Sequence, residues 1–173
     1  FDLSPDGKTI YVSNEDEGAA SFIDAASGKK LQTIKVGKEP EGVKVSADGK
    51  TLYVTSEVAS MVHVIDTATA KVVKNIKVGK RPRRMAITPD GKYLFASGNP
   101  ANTVGRFSIA ADGSLASIGT ATVVGADVLQ VSPDGRFLYV LSSAGTDRVH
   151  SLAIGADGSL TEIPPAYDLG ASS

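Results

Sequence analysis

The chain contains no cysteine and no tryptophan, and histidine occurs only twice. Without cysteine it can form neither a disulfide nor a thiolate metal site, and it has no cysteine nucleophile. The longest stretch without a charged residue, residues 113–126, is shorter than a membrane-spanning helix requires. The formal net charge of -1 gives no electrostatic basis for binding nucleic acid. We therefore expect no membrane span and no nucleic-acid partner.

The composition is that of a folded globular protein, but its charge is distributed unevenly. Hydrophobic residues make up 42% of the 173 residues and charged residues 21%, which excludes wholesale disorder. Up to Ser97 there are 15 basic and 12 acidic residues, and from Gly98 onward there are 3 and 7. No linker accompanies this change, so we interpret the chain as a single domain whose two halves differ in their balance of basic and acidic residues.

A turn of the Pro-Asp-Gly type occurs four times at a nearly constant spacing. The Asp residues of these turns, Asp6, Asp48, Asp90 and Asp134, are 42, 42 and 44 residues apart. Five residues after each Asp, an aromatic residue stands within a short apolar run. Such a turn followed by an apolar run predicts a tight hairpin between two strands. A second turn signal in each repeat marks another hairpin, so the pattern predicts four strands per repeat.

The second hairpin turn differs in one repeat. Repeats one, three and four carry a glycine there (Gly28, Gly113 and Gly158), whereas the second repeat has the segment 67–70 without glycine. Glycine tolerates the left-handed backbone that tight turns often require. We therefore expect the second repeat to use a different turn type, one that needs no glycine.

Four repeats of four antiparallel strands, without a helical period, predict an all-β β-propeller with four blades. Apolar strands need cover on both faces, and a radial stack of blades supplies it where no helices are available. The predicted blades are residues 1–42, 43–84, 85–126 and 127–173. We expect half, or a fragment, of a seven- or eight-bladed propeller. The missing blades would belong to a longer chain, or a homodimer would close an eight-bladed ring. Uncovered apolar faces are then expected around residues 10–12 and 138–140.

The stretches YVSN at residues 11–14 and YVTS at residues 53–56 each follow a hairpin turn. On these motifs, residues 1–97 resemble the YVTN family of bacterial propellers. Segments within them (13–16, 39–42, 55–57 and 81–83) resemble a subgroup associated with pyrroloquinoline-quinone-dependent catabolism, which implies a periplasmic or secreted protein. Residues 107–115 and 152–160 are similar to the lactonase family of propellers, typified by 6-phosphogluconolactonase. These motifs consist of turn and packing residues, so the resemblance implies a fold rather than a reaction.

Charged residues concentrate at one end of the predicted strands. In a propeller, the loop between the second and third strands and the connection between blades lie on the same rim. Carboxylates and guanidinium groups together at such a rim can bind a polar or anionic small molecule, although solvated surface ion pairs are the simpler explanation. The candidate ligand-binding residues are Glu15, Glu39, Glu41, Glu57, Arg81, Arg83 and Arg84.

The two histidines occupy matching positions in repeats two and four. His63 and His150 lie in the predicted third strands, which are away from the propeller axis. Histidine is a natural acid or base near neutral pH, but this placement favours packing between blades over catalysis. We expect the two histidines to lie apart from each other.

The sequence lacks the motifs of common catalytic sites. It has no nucleophile elbow, zinc-binding helix, phosphate loop or calcium loop, so we expect no metal and no cofactor, and catalysis stays open. The leading hypothesis is a binding and scaffold module whose charged rim binds a small polar ligand or a protein. The first alternative is a lactonase-type hydrolase of sugar lactones, with Arg106 or Arg148 holding the lactone. The second alternative is an engineered or recombined repeat scaffold without natural activity. A glycosidase pair of Glu15 and Glu57 also stays open, because the sequence does not give their separation.

Overall fold

The computed structural model of the protein describes residues 1–98, 102–143 and 146–170. Within these ranges, no helix is long and apolar enough to cross a membrane. All the regular elements of the described residues are strands: β1 (Asp2–Leu3), β2 (Thr9–Asn14), β3 (Ala19–Asp24), β4 (Lys30–Lys35), β5 (Pro40–Val45), β6 (Thr51–Ser56), β7 (Met61–Asp66), β8 (Lys71–Lys77), β9 (Pro82–Ile87), β10 (Tyr93–Gly98), β11 (Thr103–Ile109), β12 (Leu115–Thr122), β13 (Ala126–Val131), β14 (Phe137–Ser142), β15 (Arg148–Ile154) and β16 (Leu160–Asp168).

The sixteen strands form four antiparallel sheets of four strands each. The strand orders are β1-β2-β3-β4, β5-β6-β7-β8, β9-β10-β11-β12 and β13-β14-β15-β16. Each sheet is therefore a meander of consecutive strands, which is the architecture of a propeller blade. The prediction of an all-β protein with four four-stranded blades is confirmed.

The Asp-Gly turns between the first two strands of each sheet share one geometry. In the first turn, Asp6 Oδ1 accepts hydrogen bonds from Ser4 Oγ at 2.7 Å and from the Lys8 N–H at 3.1 Å. Gly7 has a φ of 71°, which an L-residue adopts only at a cost. The predicted tight turns are confirmed. At the fourth turn, bonds from Ser132 and Arg136 lower the pKa of Asp134 to about 2.

The second hairpin of the second repeat corrects a sequence prediction. Asp66 Oδ1 accepts hydrogen bonds at 2.7 Å from both the N–H and the Oγ1 of Thr69. Asp24 Oδ1 binds Ser27 in the same way in the first repeat. The turn that follows is also the same, because Ala70 has a φ of 53°. The prediction of a different turn type was therefore wrong, since the aspartate side chain fixes the turn and alanine accepts the left-handed backbone.

The chain divides into two compact units, Phe1–Arg83 and Arg84–Ser173. In the first unit, an apolar cluster joins the first two sheets, and Tyr11 packs edge-to-face on Phe22 with ring centroids 4.7 Å apart. In the second unit, a separate cluster around Phe95 and Leu138 joins the third and fourth sheets. The core of each unit therefore lies between its own two sheets.

The predicted uncovered faces are only partly exposed. Tyr11, Leu138 and Val140 are buried, because alternate residues of a strand point to opposite faces and these point into the two cores. Their neighbour Tyr139 points the other way and is 40% exposed. The assignment of Tyr11, Leu138 and Val140 to an uncovered face was therefore wrong, whereas that of Tyr139 was right.

Candidate functional site

Most of the predicted rim residues lie at one set of strand ends in the first unit. Glu15 follows β2, Glu57 follows β6, and Glu39 stands just before β5. The Asp48 turn precedes β6, so Glu57 and Asp48 lie at opposite ends of one strand. Arg84 is exposed and belongs to the second unit.

The structure brings a buried carboxylate together with two guanidinium groups. Only 2% of the Glu57 side chain is exposed. Its Oε1 accepts from Nε and Nη2 of Arg81, and its Oε2 accepts from Nε of Arg83 at 3.2 Å. The Arg83 Nε also lies 4.0 Å from Glu41 Oε1. Four of the predicted residues therefore form one cluster, which we call the Glu57 cluster (Glu41, Glu57, Arg81 and Arg83).

The pKa of Glu57 shows which of two opposing effects prevails. Burial alone would raise this pKa, because a charged carboxylate is poorly solvated in the protein interior. The hydrogen bond from Arg81 and the charge of Arg83 outweigh burial and lower the pKa below its ordinary value of 4.5. Glu57 is thus ionised at neutral pH and cannot donate a proton, which rules out its role as the acid of a glycosidase pair.

The cluster is built on an unusual backbone that recurs in both connections of the first unit. Glu39 and Arg81 precede Pro40 and Pro82, and their φ angles are 53° and 49°. A non-glycine residue in this left-handed region costs free energy, as does any helical conformation before proline. The Glu57 N–H donates to the Glu39 carbonyl at 2.9 Å, which ties the two loops together. Strained residues of this kind concentrate at functional sites.

A row of hydroxyl groups that the sequence interpretation missed sets the position of the arginine-bearing strand. Hydroxyls spaced 42 residues apart, near the end of the second strand of a sheet, each donate to a carbonyl near the start of the next first strand (β5, β9 or β13). The donor and acceptor pairs are Ser13 with Glu41 at 2.7 Å, Thr55 with Arg83 at 3.1 Å, and Ser97 with Asp127 at 2.7 Å. The repeat period itself was the signal that could have identified them.

Gly42 allows the backbone of Arg83 to approach closely. A Cβ atom at Gly42 would lie 2.3 Å from the Arg83 carbonyl oxygen, a distance that no side chain tolerates. The Gly42 N–H donates to Thr55 Oγ1 at 2.7 Å, and that hydroxyl donates in turn to Arg83. Gly42 and Thr55 therefore fix the backbone from which the Arg83 side chain reaches Glu57.

A cleft of about 620 Å³ lies beside these loops in the first unit. It is lined by charges of both signs, including Glu15 and Glu39. The lining residue Lys35 donates from Nζ to the Glu17 carbonyl at 2.7 Å. The predicted residues thus fall into two groups, with Glu15 and Glu39 at the cleft and the remaining residues of the first unit in the Glu57 cluster.

The arginines proposed to hold a lactone are engaged elsewhere. Arg106 donates from Nη1 to the Gly158 carbonyl and from Nη2 to the Ile118 carbonyl, both at 3.1 Å. It therefore joins two hairpins. Arg148 lies 3.9 Å from Asp168 in an exposed ion pair across β15 and β16. Arg106 is thus occupied by two backbone carbonyls and Arg148 by an exposed ion pair, so the sequence hypothesis for these two arginines gains no support.

His63 has the packing role expected from its strand. It is 6% exposed, and its Nδ1 lies 2.6 Å from Asn75 Oδ1. Burial lowers the pKa of His63, against the opposing effect of the Asn75 hydrogen bond. The ring is therefore neutral at physiological pH. Among the described residues, no group of three histidine or acidic side chains could hold a metal ion.

Comparisons with known proteins agree with this architecture. The family model described as lactonase, seven-bladed β-propeller, matches residues 3–129. A search of curated proteins finds no significant match. The hydrazine synthase of Kuenenia stuttgartiensis is 27% identical, with a TM-score of 0.83 over 97% of this chain and 48% of that one. The periplasmic gluconolactonase of Pseudomonas aeruginosa is 22% identical, with a TM-score of 0.80 over 94% and 55%.

A third similar structure is a functionally unknown protein of Desulfotomaculum acetoxidans, 18% identical, with a TM-score of 0.83 over 95% of this chain and 54% of that one. The chain thus spans about half the length of the structures it matches. The narrower resemblance to the YVTN propellers stays a prediction. Because the family model covers well over half of the residues, the chain belongs to the lactonase family of seven-bladed β-propellers.

Proposed function

We propose that the Glu57 cluster binds the acidic group of a small, hydroxylated anion such as a sugar acid. The supporting observation is that a buried, ionised Glu57 holds the guanidinium groups of Arg81 and Arg83 side by side at a strand end. Arginine pairs well with carboxylate and phosphate, because its planar fork donates parallel hydrogen bonds. A fork held in place before the ligand arrives loses less entropy on binding.

Arg81 is the main ligand-binding group in this proposal. Its side chain is 56% exposed, although Nε and Nη2 contact Glu57. A guanidinium group has five N–H donors, so Arg81 has donors beyond those that face Glu57. Its strained φ of 49° presents the side chain at the loop end. The cleft carboxylates Glu15 and Glu39 would accept hydrogen bonds from the ligand's hydroxyl groups.

The mixed charge of the region favours a sugar acid over a simple anion. Within the Glu57 cluster, two arginines balance two glutamates, so there is no excess positive charge to attract any anion indiscriminately. A ligand with one acidic group and several hydroxyls uses both the donors and the acceptors. The lactonase family and the gluconolactonase of P. aeruginosa support this chemical class, since hydrolysis of a sugar lactone yields a sugar acid.

Calorimetric titration of the 173-residue chain tests this proposal. We expect gluconate and 6-phosphogluconate to bind and glucose, which lacks the acidic group, to bind at least about tenfold more weakly, since one charge-assisted contact is worth this much. Arg81→Gln should weaken binding of the acids by a similar factor. Arg136→Gln is the matched control, because Arg136 is an exposed arginine paired with Asp134 in a hairpin turn of the other unit. Equal affinity of wild type and Arg81→Gln would contradict the proposal.

Hydrolysis of a sugar lactone is the second candidate function. It is favoured by membership of the lactonase family, and Arg81 would then stabilise the negative charge that develops on the carbonyl oxygen. The test is the rate at which gluconolactone opens in the presence of the chain, compared with its spontaneous opening. Acceleration that Arg81→Gln abolishes supports hydrolysis, whereas binding without acceleration supports the binding module alone.

We also propose that the protein acts outside the cytoplasm. This rests on the resemblance of residues 1–97 to extracytoplasmic propellers, and the similar P. aeruginosa protein is named as periplasmic. Cell fractionation with an antibody against the chain tests it. Recovery in the cytoplasmic fraction would contradict it.

A further inference from the structure

A polar group of three residues recurs at the same place in three of the four sheets. Its members stand at the end of the second strand, in the third strand and in the fourth strand. In the register of the sheets, Ser21, His63 and His150 pair with Val12, Val54 and Val140. The three groups are Asn14, Ser21 and Thr33 in the first sheet, Ser56, His63 and Asn75 in the second, and Ser142, His150 and Glu162 in the fourth.

In the fourth sheet the three side chains form a directed chain of hydrogen bonds. His150 Nδ1 lies 2.6 Å from Glu162 Oε1, and His150 Nε2 lies 3.2 Å from Ser142 Oγ. An ionised carboxylate can only accept, so Nδ1 carries the hydrogen that faces Glu162. In a neutral ring, Nε2 is then the acceptor, and the Ser142 hydroxyl donates to it. The Arg148 carbonyl is a second acceptor within reach of this hydroxyl, but at 3.5 Å it is farther away than His150 Nε2 at 3.2 Å. This is the order of nucleophile, base and carboxylate found in serine hydrolases.

The matching group in the second sheet lacks two features of this arrangement. Ser56 Oγ donates to the Lys38 carbonyl at 2.8 Å, so its hydrogen is not directed at His63. Asn75 provides an amide where Glu162 provides a carboxylate. The second-sheet group is thus a packing arrangement, and it provides an internal comparison for the fourth sheet.

The two groups differ in exposure at the histidine. His63 is 6% exposed, whereas 15% of the His150 side chain is exposed, and the third members, Asn75 and Glu162, are both exposed. Solvent therefore reaches the base and carboxylate of the fourth sheet. Ser142 is 3% exposed, which restricts the reaction to compact acyl groups.

We propose that Ser142 is the nucleophile of an acyl-transfer site for small carboxylic esters, with His150 as its base and Glu162 as the residue that positions His150. All three lie in the second unit, so the proposal is independent of the anion site in the first unit.

The reaction proceeds in two balanced steps. Ser142 Oγ attacks the ester carbonyl carbon while its proton passes to His150 Nε2, and the bond from that carbon to the alcohol oxygen breaks. The alcohol leaves with the proton from His150. Water then gives a proton to His150 and attacks the acyl-serine, which releases the carboxylic acid, and the serine oxygen recovers its proton.

The probe is p-nitrophenyl acetate, which has a compact acyl group and a good leaving group. A good leaving group lowers the need for stabilisation of the oxyanion. We expect a burst of nitrophenolate equal to the amount of protein, and mass spectrometry should find one acetyl group on Ser142. Ser142→Ala should eliminate the burst, whereas Ser56→Ala, the matched change in the second sheet, should leave it intact.

Variants of Glu162 separate positioning from a merely structural role. Glu162→Gln keeps the size of the side chain but removes the carboxylate, and it should slow acetylation of Ser142 by about 10²-fold or more. Glu162→Asp keeps the carboxylate and should recover part of that rate. If Glu162 acted only by packing, Glu162→Gln, which keeps the size of the side chain, would be acetylated faster than Glu162→Asp. Because Glu162 is partly exposed, both variants should unfold at the wild-type temperature.

Three results would overturn the proposal. The first is the absence of a burst. The second is an acetyl group found on Ser143 or on a lysine and not on Ser142. The third is a Glu162→Gln variant that is acetylated as fast as wild type. None of them bears on binding of sugar acids by the Glu57 cluster, which is measured separately.

Discussion

Ala70 occupies in the second repeat the backbone position that Gly28 occupies in the first. Their φ angles are 53° and 68°, and each follows a residue whose N–H and hydroxyl both bind an aspartate at 2.6 to 2.7 Å. The methyl group of Ala70 packs against the core of the first unit, whereas a Cβ at Gly28 would contact nothing within 4 Å. Packing of the Ala70 methyl group therefore offsets the backbone strain at that position, whereas a methyl group at Gly28 would have no packing to offset the strain.

This difference predicts unequal effects of reciprocal substitutions. Ala70→Gly relieves left-handed strain but loses a packed methyl group and increases the entropy of the unfolded chain, so the free energy of unfolding should change by less than about 0.5 kcal/mol. Gly28→Ala acquires the strain without a contact and should destabilise by about 1 kcal/mol. Urea unfolding of both variants measures the difference. Equal destabilisation by both would show that the Ala70 methyl group does not offset the strain.

Glu57→Gln should lower stability in a pH-dependent way. The folded-state pKa of Glu57 is depressed, so its ionised form stabilises the folded protein above the ordinary pKa of 4.5. That contribution is lost as the pH falls through the folded-state pKa. At neutral pH, the variant should be less stable by about 2 kcal/mol, because two arginines lose a buried charged partner.

Urea unfolding at neutral pH and at successively lower pH compares the two proteins. The difference in free energy of unfolding between wild type and Glu57→Gln should narrow below pH 4.5. A difference that stays constant as the pH falls would mean that the carboxylate charge of Glu57 does not stabilise the fold.

Gly42→Ala should displace Arg83. The added Cβ would overlap the Arg83 carbonyl, so the backbone must move, at a cost of about 2 kcal/mol. Thr55→Val removes the hydroxyl that joins the same two segments and should cost about 1 kcal/mol. Both variants should also bind sugar acids more weakly, although neither changes a side chain of the Glu57 cluster. Gly7→Ala is the control, because no atom lies within 4 Å of a Cβ there and the site is a distant hairpin turn; it should lose stability but retain binding.

The blades could be predicted from the sequence because local chemistry determines them. The Asp-Gly turns and the apolar runs that follow recur with the 42-residue period, and each operates within a few residues of chain. The turn at Ala70 was mispredicted because the aspartate bond that fixes it outweighs the usual need for glycine. Sequence rules for turns describe backbone preference, and a side-chain bond can override that preference.

The candidate site was only half predictable. The strand pattern brings Glu57, Arg81 and Arg83 to the same strand ends, and the structure places them in contact. The strand pattern could not show that Glu57 is buried or that its pKa is lowered, because both depend on how the side chains of Arg81 and Arg83 contact Glu57. The hydrogen bonds around His150 could not be predicted from the sequence either, since they join three different strands.

The outer face of the fourth sheet should promote self-association. Tyr139 is exposed there and stacks on Phe137 with ring centroids 6.4 Å apart, and the face also bears Val128, which is exposed. Exposed apolar patches of this kind mark interfaces. Light scattering should give a mass above that of a monomer for the 173-residue chain, and Tyr139→Glu should shift it toward the monomer. A wild-type monomer at all concentrations tested would contradict the prediction.

The proposal that arginines held by Glu57 bind a sugar acid is tested most directly by NMR. The measurement follows the side-chain Nε–Hε signals of Arg81 and Arg83 while 6-phosphogluconate is added. We predict that both signals shift and saturate together, and that the shifts weaken strongly in Glu57→Gln, in which the guanidinium groups are no longer held. Signals of Arg81 and Arg83 that stay unchanged at saturating ligand would contradict the account.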